Sequence, residues 1–336
     1  MIKDMLKTIV DRNNLSGEEM TQAMDEIMEG NATAAQIAGF ITALRMKGET
    51  AEEVAGAASS MRRHAEYIDA GAANVVDTCG TGGDGIASFN ISTTAAFVAA
   101  GAGVCIAKHG NRAVSSKCGS ADVLEELGVN LNVEPEVMEQ CIQEHGIGFL
   151  FAPRMHPAMK NAIGPRRELG LRTIFNMLGP LTNPAGATGQ VLGVFAPELT
   201  EMFAHALIKL NCKRAYVVHG GNGMDEITCT ESTRVSEVRE GKVKTYEISP
   251  EMLLGDSCDE SELAGGSPAE NAAVLKNVLA GEKGAPRQIT VLNAAAAIAA
   301  GDRADSIKEG VSMAQEAIDS GAAMNKLKTL IEETQA

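Results

Sequence analysis

The sequence predicts an α/β protein with a small all-helical domain before a large domain built on a mostly parallel sheet. Residues 1–70 show only helical patterns, whereas short apolar β-type runs alternate with helical segments after residue 71. That alternation predicts a parallel sheet with helices on both faces. We therefore divide the chain into an N-terminal helical domain, residues 1–70, and an α/β domain, residues 71–336. A helical segment near 165–190 is expected to join the first domain.

Capping boxes mark the helix starts of the first domain. In a capping box, a Ser or Thr side chain and a Glu or Gln three residues later satisfy each other's backbone amides. Three such pairs occur before residue 70: Ser16 with Glu19, Thr33 with Gln36, and Thr50 with Glu53. Apolar residues then recur at helical spacing, as at Ile37, Phe40, Ile41 and Leu44.

The second domain begins with five apolar runs that predict buried strands. These runs cover residues 74–78, 103–107, 146–151, 190–195 and 214–220. The segments between them predict helices at 93–100, 135–145 and 198–210. Residues 234–248 alternate in polarity and turn at Glu240-Gly241, which predicts a β-hairpin. Helices return from Ser267, where a capping box with Glu270 precedes an alanine-rich run that predicts a buried helix.

Composition excludes several function classes. The 336-residue chain has a formal net charge of -15, which disfavours binding to nucleic acid backbones. Its longest apolar stretches fall short of the ~20 residues that a membrane span needs. The seven cysteines include no C-x-x-C pair, so neither a zinc ribbon nor a redox dithiol is indicated. With no signal peptide recognised, we expect a cytoplasmic protein with reduced cysteines and no nucleic-acid or membrane partner.

A glycine-rich segment, residues 77–93, follows the first predicted strand and precedes a helix. Glycines allow positive φ and let backbone amides approach an anion at the helix start. The G-x-G-x-x-G spelling also fits a dinucleotide fingerprint, but no acidic residue occurs between Asp84 and Asp122 to hold a ribose. No Walker A lysine follows either. The segment therefore predicts a phosphate loop of another kind, and a ligand-free glycine turn is the alternative.

A basic segment, residues 108–122, follows the second predicted strand. It combines Lys108, His109 and Arg112 with amide and hydroxyl side chains. Both segments are expected at the carboxyl ends of neighbouring strands, where open α/β sheets bind ligands. Two adjacent anion sites suit a ligand with two phosphate groups, although a solvated basic loop is the simpler alternative. His109 is assigned substrate contact or loop shaping, because no orienting carboxylate is apparent nearby.

Two further blocks carry charged candidates. Asp225 and Glu226 stand side by side in a Gly-flanked loop and suit Mg²⁺, which binds through one or two carboxylates and substrate phosphates. A solvent-exposed acidic turn is the alternative. Arg166, Arg167 and Arg172 could each recognise a carboxylate bidentately, or pair with acids on a helix surface. The sequence does not choose among the three arginines.

The motifs together resemble the anthranilate phosphoribosyltransferase family. They are GTGGDG, NIST, KHGNRAVSSKCGSADVLEELG, RTIFNMLGPLTNP and DEIT, in family order over nearly the whole chain. The resemblance implies the nucleoside phosphorylase/phosphoribosyltransferase-like fold and usually a homodimer formed through the helical domain. It also implies magnesium-dependent transfer of phosphoribosyl from 5-phosphoribosyl 1-pyrophosphate (PRPP) to anthranilate, a step of tryptophan biosynthesis, with no protein nucleophile.

The resemblance further implies a set of site residues. PRPP would contact Gly80, Gly83, Asp84, Ser88, Asn90, Ile91, Ser92, Thr93, Lys108, His109, Gly110, Asn111, Arg112, Ala113, Val114, Ser115, Ser116 and Ser120. Anthranilate would contact Gly80, His109, Asn111 and Arg166. Mg²⁺ would be held by Ser92, Asp225 and Glu226.

Three rival functions remain at the level of sequence. A pyrimidine nucleoside phosphorylase of the same fold would release a base with inorganic phosphate. A catalytically silent relative that binds nucleic acid should carry a basic surface, which the pI of about 4.9 argues against. A nicotinamide dehydrogenase would need an acidic residue to hold the ribose of its cofactor, and this sequence has none at that position.

Overall fold

The computed structural model describes residues 1–113 and 117–336. Val114, Ser115 and Ser116, three of the predicted PRPP contacts, therefore lie outside the described residues. Four helices open the chain: α1 (Ile2–Val10), α2 (Gly17–Met28), α3 (Ala34–Lys47) and α4 (Ala51–Arg63). All three predicted capping boxes form, at the starts of α2, α3 and α4.

The helical domain is held together by an apolar core and one buried acid. Met24, Phe40 and Ile41 are fully buried in that core. Glu53 is also fully buried, and its carboxylate accepts hydrogen bonds from the Leu15 amide at 2.9 Å and from the Lys47 ammonium at 2.9 Å. A buried charge is stable only when it is paired and hydrogen-bonded, and Glu53 meets both conditions.

The second part of the chain contains one seven-stranded sheet, as predicted. Its strands are β1 (Val76–Gly80), β2 (Ile106–Gly110), β3 (Ile147–Phe151), β4 (Gly189–Gly193), β5 (Arg214–Gly220), β6 (Thr233–Arg239) and β7 (Lys242–Ile248). The strand order is β3-β2-β1-β4-β5-β6-β7. The first five strands are parallel, and the predicted hairpin β6–β7 adds two antiparallel strands at one edge. The fold class is therefore the one that the sequence predicted.

Strands β1 and β2 begin and end a few residues later than their apolar runs. The run at 103–107 stops where polar residues begin, yet the backbone of Lys108, His109 and Gly110 continues to pair with β3. The strand therefore includes two polar residues, Lys108 and His109, whose side chains are buried. A search for apolar runs misses this extension, because polar side chains are buried here only through the partners that the fold provides.

Within residues 1–113 and 117–336, twelve further helices follow, most of them packed around the sheet. They are α5 (Ile91–Gly101), α6 (Ser120–Glu126), α7 (Pro135–His145), α8 (Ala152–Met155), α9 (Lys160–Leu169), α10 (Phe175–Leu178), α11 (Leu199–Lys209), α12 (Pro250–Leu254), α13 (Pro268–Leu279), α14 (Ala285–Ala300), α15 (Ile307–Asp319) and α16 (Ala322–Gln335). Helix α14 packs against α5 and α15, whereas α11 packs against α4 and strands β5–β7.

Alanine-rich α14 is the buried helix that the sequence predicted. Its residues from Ile289 to Ala300 are almost all inaccessible to solvent. A side chain at Gly310 of α15 would overlap the carbonyl oxygen of Ala295, so the two helix backbones are in direct contact. Small residues permit this approach and fill the space between the helices without aromatic rings.

The helical part is anchored to the sheet part at its last helix. The Arg62 guanidinium of α4 donates to the carbonyl oxygens of Leu181, at 2.7 Å, and Leu210, at 3.3 Å. From the other side, helix α9 packs on α2 and α3, and Asn161 donates to the Met28 carbonyl at 2.8 Å. The segment near 165–190 thus runs beside the helical part.

One sequence expectation about cysteine is wrong. Cys229 and Cys258, separated by 29 residues, form a disulfide with a Cα–Cα distance of 5.7 Å. The chain leaves Cys229, forms the β6–β7 hairpin and returns to it. A pairing produced by this return has no local spacing signature, so a search for C-x-x-C motifs could not find it. In the described part of the chain, no helix is both long and apolar enough to cross a bilayer.

Candidate active site

The glycine-rich segment forms a loop between β1 and α5 whose backbone amides are available to a ligand. Gly82, Gly83 and Gly85 have φ of 65°, 76° and 80°, a region that side chains disfavour. The following helix begins at Ile91, and its N-cap, Asn90, makes no side-chain capping bond. The Ile91 amide donates to the Phe89 carbonyl oxygen at 2.8 Å, and the Ser92 backbone amide bonds the Glu226 carboxylate, so the start of α5 already holds negative charge, as helix starts that bind anions do.

The carboxylate pair lies directly against the end of β1. The Gly82 amide donates to Asp225 Oδ2 at 2.8 Å. A Cβ at Gly80 would overlap that same carboxylate, and a Cβ at Gly193, the last residue of β4, would overlap the Asp225 carbonyl oxygen. Two strand ends must therefore lack side chains for the acidic loop to reach this position.

Electrostatics disfavour two ionised carboxyls at this place. Burial and repulsion from Asp84 raise the pKa of Asp225 to about 6. Burial and the neighbouring Asp225 raise the pKa of Glu226 well above its ordinary value, while Lys108 opposes that rise. Acids whose charges are penalised in this way favour a cation between them.

Lys108 is the buried cation nearest to this pair along the sheet. Its ammonium donates to the Thr78 carbonyl oxygen and lies 3.4 Å from Ser92 Oγ. Burial lowers the pKa of Lys108, and the charge of Asp77 raises it, with smaller contributions from Glu226 and Asp225. The Lys108 ammonium thus lies beside Ser92 at the start of α5, and its positive charge is stabilised by Asp77 and also by Glu226 and Asp225.

His109 is buried and neutral. Its backbone amide donates to Asp77 Oδ1 at 3.1 Å, and its Nδ1 lies 3.1 Å from the Gly179 carbonyl oxygen. Burial and the nearby His156, whose ring centroid is 5.0 Å away, lower the pKa of His109 to about 3. Burial likewise lowers the pKa of His156 to about 4. The Nε2 atoms of both rings are buried and have no hydrogen-bond partner in the structure.

The second loop is only partly directed towards this site. The Arg112 guanidinium pairs with Asp122 at 3.2 Å and Glu125 at 2.8 Å, so its charge is turned towards α6. Asn111 is exposed and its side chain accepts from the Arg112 amide at 2.7 Å. Ala113 is half-buried, and its amide donates to Asp122 at 2.9 Å. The contacts assigned to this loop stay predictions.

The three arginines of the 155–184 block have different surroundings. Arg166 is half-buried, stacks over the Phe175 ring at 5.0 Å and forms no ion pair with any described carboxylate. Burial lowers the pKa of Arg166. Arg167 is exposed on the same helix. Arg172 stacks over Phe195 at 4.9 Å and donates to the Gly83 carbonyl oxygen at 2.5 Å. Arg166 is thus the partly buried guanidinium with its donors uncommitted, and Arg172 supports the glycine loop.

Sequence reasoning assigned no role to three residues that shape the site. Asp77 holds the His109 amide and faces Lys108, Gly193 leaves room for Asp225, and His156 packs on His109. Asp77 did carry a signal, since an acid inside an apolar strand needs a buried partner. Gly193 and His156 carried none, because their importance depends on segments distant in sequence.

The described residues contain no group of three or more His, Cys, Asp or Glu arranged to hold a metal ion. The predicted magnesium ligands are instead two carboxylates and the hydroxyl of Ser92. This donor set is what Mg²⁺ uses when substrate phosphates complete its coordination.

Comparison with known proteins assigns the chain to a family. The helical bundle domain of the glycosyl transferase family matches residues 3–65, and the a/b domain of that family matches residues 72–324. The anthranilate phosphoribosyltransferase of Desulfosudis oleivorans is 59% identical over 337 residues, with 100% of this chain and 99% of that protein covered. This chain belongs to the anthranilate phosphoribosyltransferase family.

Solved structures agree with this membership. The anthranilate phosphoribosyltransferase of Thermus thermophilus is 43% identical with a TM-score of 0.94, covering 98% of this chain and 99% of that chain. The enzyme of Saccharomyces cerevisiae, solved in complex with PRPP and Mg, is 29% identical with a TM-score of 0.89. That alignment covers 99% of this chain and 98% of the yeast chain.

We expect Gly193→Ala to destabilise this member of the family. The added methyl group overlaps backbone atoms of Asp225 rather than a flexible side chain, so the free energy of unfolding should fall by about 1–3 kcal/mol. Chemical denaturation measures this difference. Gly39→Ala on α3 is the matched control, because its methyl group meets only ordinary contact distance and should be tolerated. Equal stability of both variants would contradict the close packing at Gly193.

The buried histidines predict loss of stability in acid. Their folded pKa values lie below the unfolded value of about 6.5, so unfolding takes up protons between pH 6.5 and 4. The free energy of unfolding should fall by up to about 1.4 kcal/mol per pH unit for each histidine. Denaturation at pH 7 and pH 5 measures this slope. His156→Asn should reduce it, whereas the exposed His205→Asn should leave it unchanged; identical slopes in all three proteins would refute the assignment.

Proposed function

We propose that this chain transfers the phosphoribosyl group of PRPP to anthranilate, forming N-(5-phosphoribosyl)anthranilate and pyrophosphate in tryptophan biosynthesis. The observation that carries the proposal is the convergence of three features at the strand ends. These are the amide-rich loop after β1, the buried ammonium of Lys108 on β2, and the carboxylate pair after β5. Family membership over the full chain supports it further.

The glycine loop and α5 are proposed to hold the phosphate groups of PRPP. The backbone amides of Gly83 and Gly85, which have positive φ, and the positive end of the α5 dipole attract anions without side-chain charge, while the Gly82 amide holds Asp225. Lys108 supplies a buried positive charge beside Ser92. Because these donors are fixed by the fold, they stabilise the charge of the departing pyrophosphate without rearrangement.

Ser92, Asp225 and Glu226 fit a magnesium ion. Burial and repulsion from neighbouring carboxyl groups raise the pKa values of Asp225 and Glu226, so a cation that binds between them would favour their ionised forms. When bound, Mg²⁺ would neutralise charge on the diphosphate as it leaves. The Gly82 amide and the glycine strand ends orient Asp225 whether or not the ion is present.

Arg166 is proposed to receive the carboxylate of anthranilate. Its half-buried guanidinium has no carboxylate partner among the described residues, and the Phe175 ring fixes its plane. A bidentate pair between Arg166 and the substrate carboxylate would satisfy it. His109 stays neutral at physiological pH and so lines the acceptor side without adding charge. The aromatic amine attacks directly, so no protein nucleophile is required.

The division into residues 1–70 and 71–336, the homodimer and the cytoplasmic location belong to this proposal. The homodimer formed through the helical domain is what family membership implies for this chain. The chain's negative charge argues against nucleic acid as a partner.

One assay tests the function directly. Anthranilate fluorescence should decrease when PRPP and Mg²⁺ are both added, and pyrophosphate should appear in equal amount. Release of a free base from a pyrimidine nucleoside with inorganic phosphate, without consumption of anthranilate, would instead favour the nucleoside phosphorylase alternative.

Neutralising the carboxylate pair should remove the dependence on magnesium. Asp225→Asn with Glu226→Gln keeps the shape of the loop but removes both negative charges that would position the metal ion. Turnover at fixed Mg²⁺ should therefore fall about 100-fold, the size of effect expected when a catalytic group is no longer held in place. Steady-state rates over a range of Mg²⁺ concentrations measure the effect. Glu247→Gln on the exposed face of β7 is the control and should behave as the wild type. An unchanged magnesium response in the double variant would exclude the pair as ligands.

Arg166→Gln should affect the acceptor rather than PRPP. Loss of a charge-assisted bidentate pair costs about 2–3 kcal/mol, so the KM for anthranilate should rise roughly 30- to 150-fold while the KM for PRPP changes little. Arg167→Gln, one residue further on the exposed face of α9, provides the control. If only the KM for PRPP rises, Arg166 belongs to the phosphate site.

A further inference from the structure

The disulfide lies next to the proposed magnesium ligands. Cys229 follows Glu226 by three residues and is fully buried, whereas its partner Cys258 is partly exposed. Between Glu226 and Cys229, the backbone of Ile227 is held by Asn293 of α14. The Asn293 side chain accepts from the Ile227 amide at 3.0 Å and donates to the Ile227 carbonyl oxygen at 2.9 Å. Cys229 is thus the point where the carboxylate loop leaves this attachment.

The segment after Cys258 supports the glycine loop from outside. The Leu263 carbonyl oxygen accepts from the Phe89 amide at 3.2 Å, and the Gly265 amide donates to the Ala87 carbonyl oxygen at 2.7 Å. Ser88 also forms an isolated β-bridge with Ala264. Residues 258–265, which we call the brace, therefore hold the backbone at Ser88, a predicted PRPP contact.

The disulfide joins these two parts of the site. It attaches the end of the carboxylate loop to the start of the brace, which in turn pairs with the phosphate loop. Apart from the disulfide, the Cys258 amide donates to the Cys229 carbonyl oxygen at 2.9 Å. Breaking the bond would leave that backbone hydrogen bond as the link between the two segments, whereas β6 and β7, which lie between the cysteines, would stay paired in the sheet.

We propose that Cys229–Cys258 is a reversible thiol–disulfide modification site that controls how firmly the carboxylate and phosphate loops are held. The oxidised chain binds Mg²⁺ and PRPP more tightly than the reduced chain. This inference rests on the proposed function of the two loops. A reductant would enter at Cys258, because that residue is partly exposed whereas Cys229 is fully buried.

The chemistry balances with a dithiol as reductant. Its thiolate attacks Cys258 Sγ, the S–S bond breaks, and Cys229 Sγ leaves with the bonding pair and takes up a proton. The second thiolate of the reductant then displaces Cys258 Sγ, which also takes up a proton. The reductant ends as a cyclic disulfide, so two electrons and two protons have moved to the protein. A low-molecular-weight disulfide reverses both steps.

The test compares the full chain after treatment with oxidised glutathione and after treatment with dithiothreitol. Intact mass after alkylation should show two more alkylated thiols in the reduced protein. Amide hydrogen exchange without metal should be faster in the reduced protein over residues 86–90, 225–229 and 258–265. The Mg²⁺ concentration that half-saturates turnover should rise roughly tenfold, the lower end of the effect of losing groups that orient metal ligands.

A double variant, Cys229→Ser with Cys258→Ser, should match the reduced wild type under both treatments. Cys141→Ser removes a buried thiol on α7, far along the sheet, and should keep the full redox response. If the double variant does not fold, the wild-type comparison alone decides.

Identical exchange rates and magnesium dependence in oxidised and reduced wild type would overturn the inference, as would failure to form the bond in the folded protein. Failure of the proposed function looks different. In that case the oxidised protein would not consume anthranilate with PRPP, whereas the difference in hydrogen exchange would still support a redox-controlled attachment of the two loops.

Discussion

The site depends on holding two partly buried carboxylates against the ends of parallel strands. Placing like charges together in a protein is unfavourable, and here the cost is offset by the Gly82 amide and by the ammonium of Lys108. Lys108 is itself buried and relies on Asp77 for its charge. The glycine at the end of β4 and the glycine at the end of β1 are consequences of the same constraint, because any side chain there would displace Asp225.

This arrangement explains why the chemistry is divided among separate parts of the chain. The amides of the β1–α5 loop attract anions, and the acids after β5 attract a cation, so a magnesium diphosphate satisfies both at once. The residues proposed for the acceptor have a different character: Arg166 lies over the Phe175 ring, and His109 packs on His156, both with lowered pKa values. An aromatic acid with one carboxylate would need one cation and otherwise uncharged surroundings, which these residues supply.

The sequence predicted the features that local patterns encode. Capping boxes predicted the starts of α2, α3, α4 and α13, and alternating polarity predicted the hairpin. The expectation that the first two strands are neighbours predicted that the glycine-rich and basic loops lie at the same edge of the sheet. Features that depend on distant segments were not predictable in this way. The Cys229–Cys258 bond, the space left by Gly193 and the pairing of Arg112 with α6 each arise from contacts that the fold creates. The choice among the three arginines likewise required their surroundings, since Arg166 is half-buried whereas Arg167 and Arg172 are exposed.

The direct backbone contact between α14 and α15 has a mechanical consequence. Because these helices meet through glycine and alanine, they have almost no side-chain layer that could compress or slide. This wall therefore has little free volume, and enlarging Gly310 would force the two helix backbones apart. The joint between the helical part and the sheet part is built differently, because larger apolar side chains such as Leu181, Phe203 and Leu207 fill it beside the polar contacts of α4 and α9.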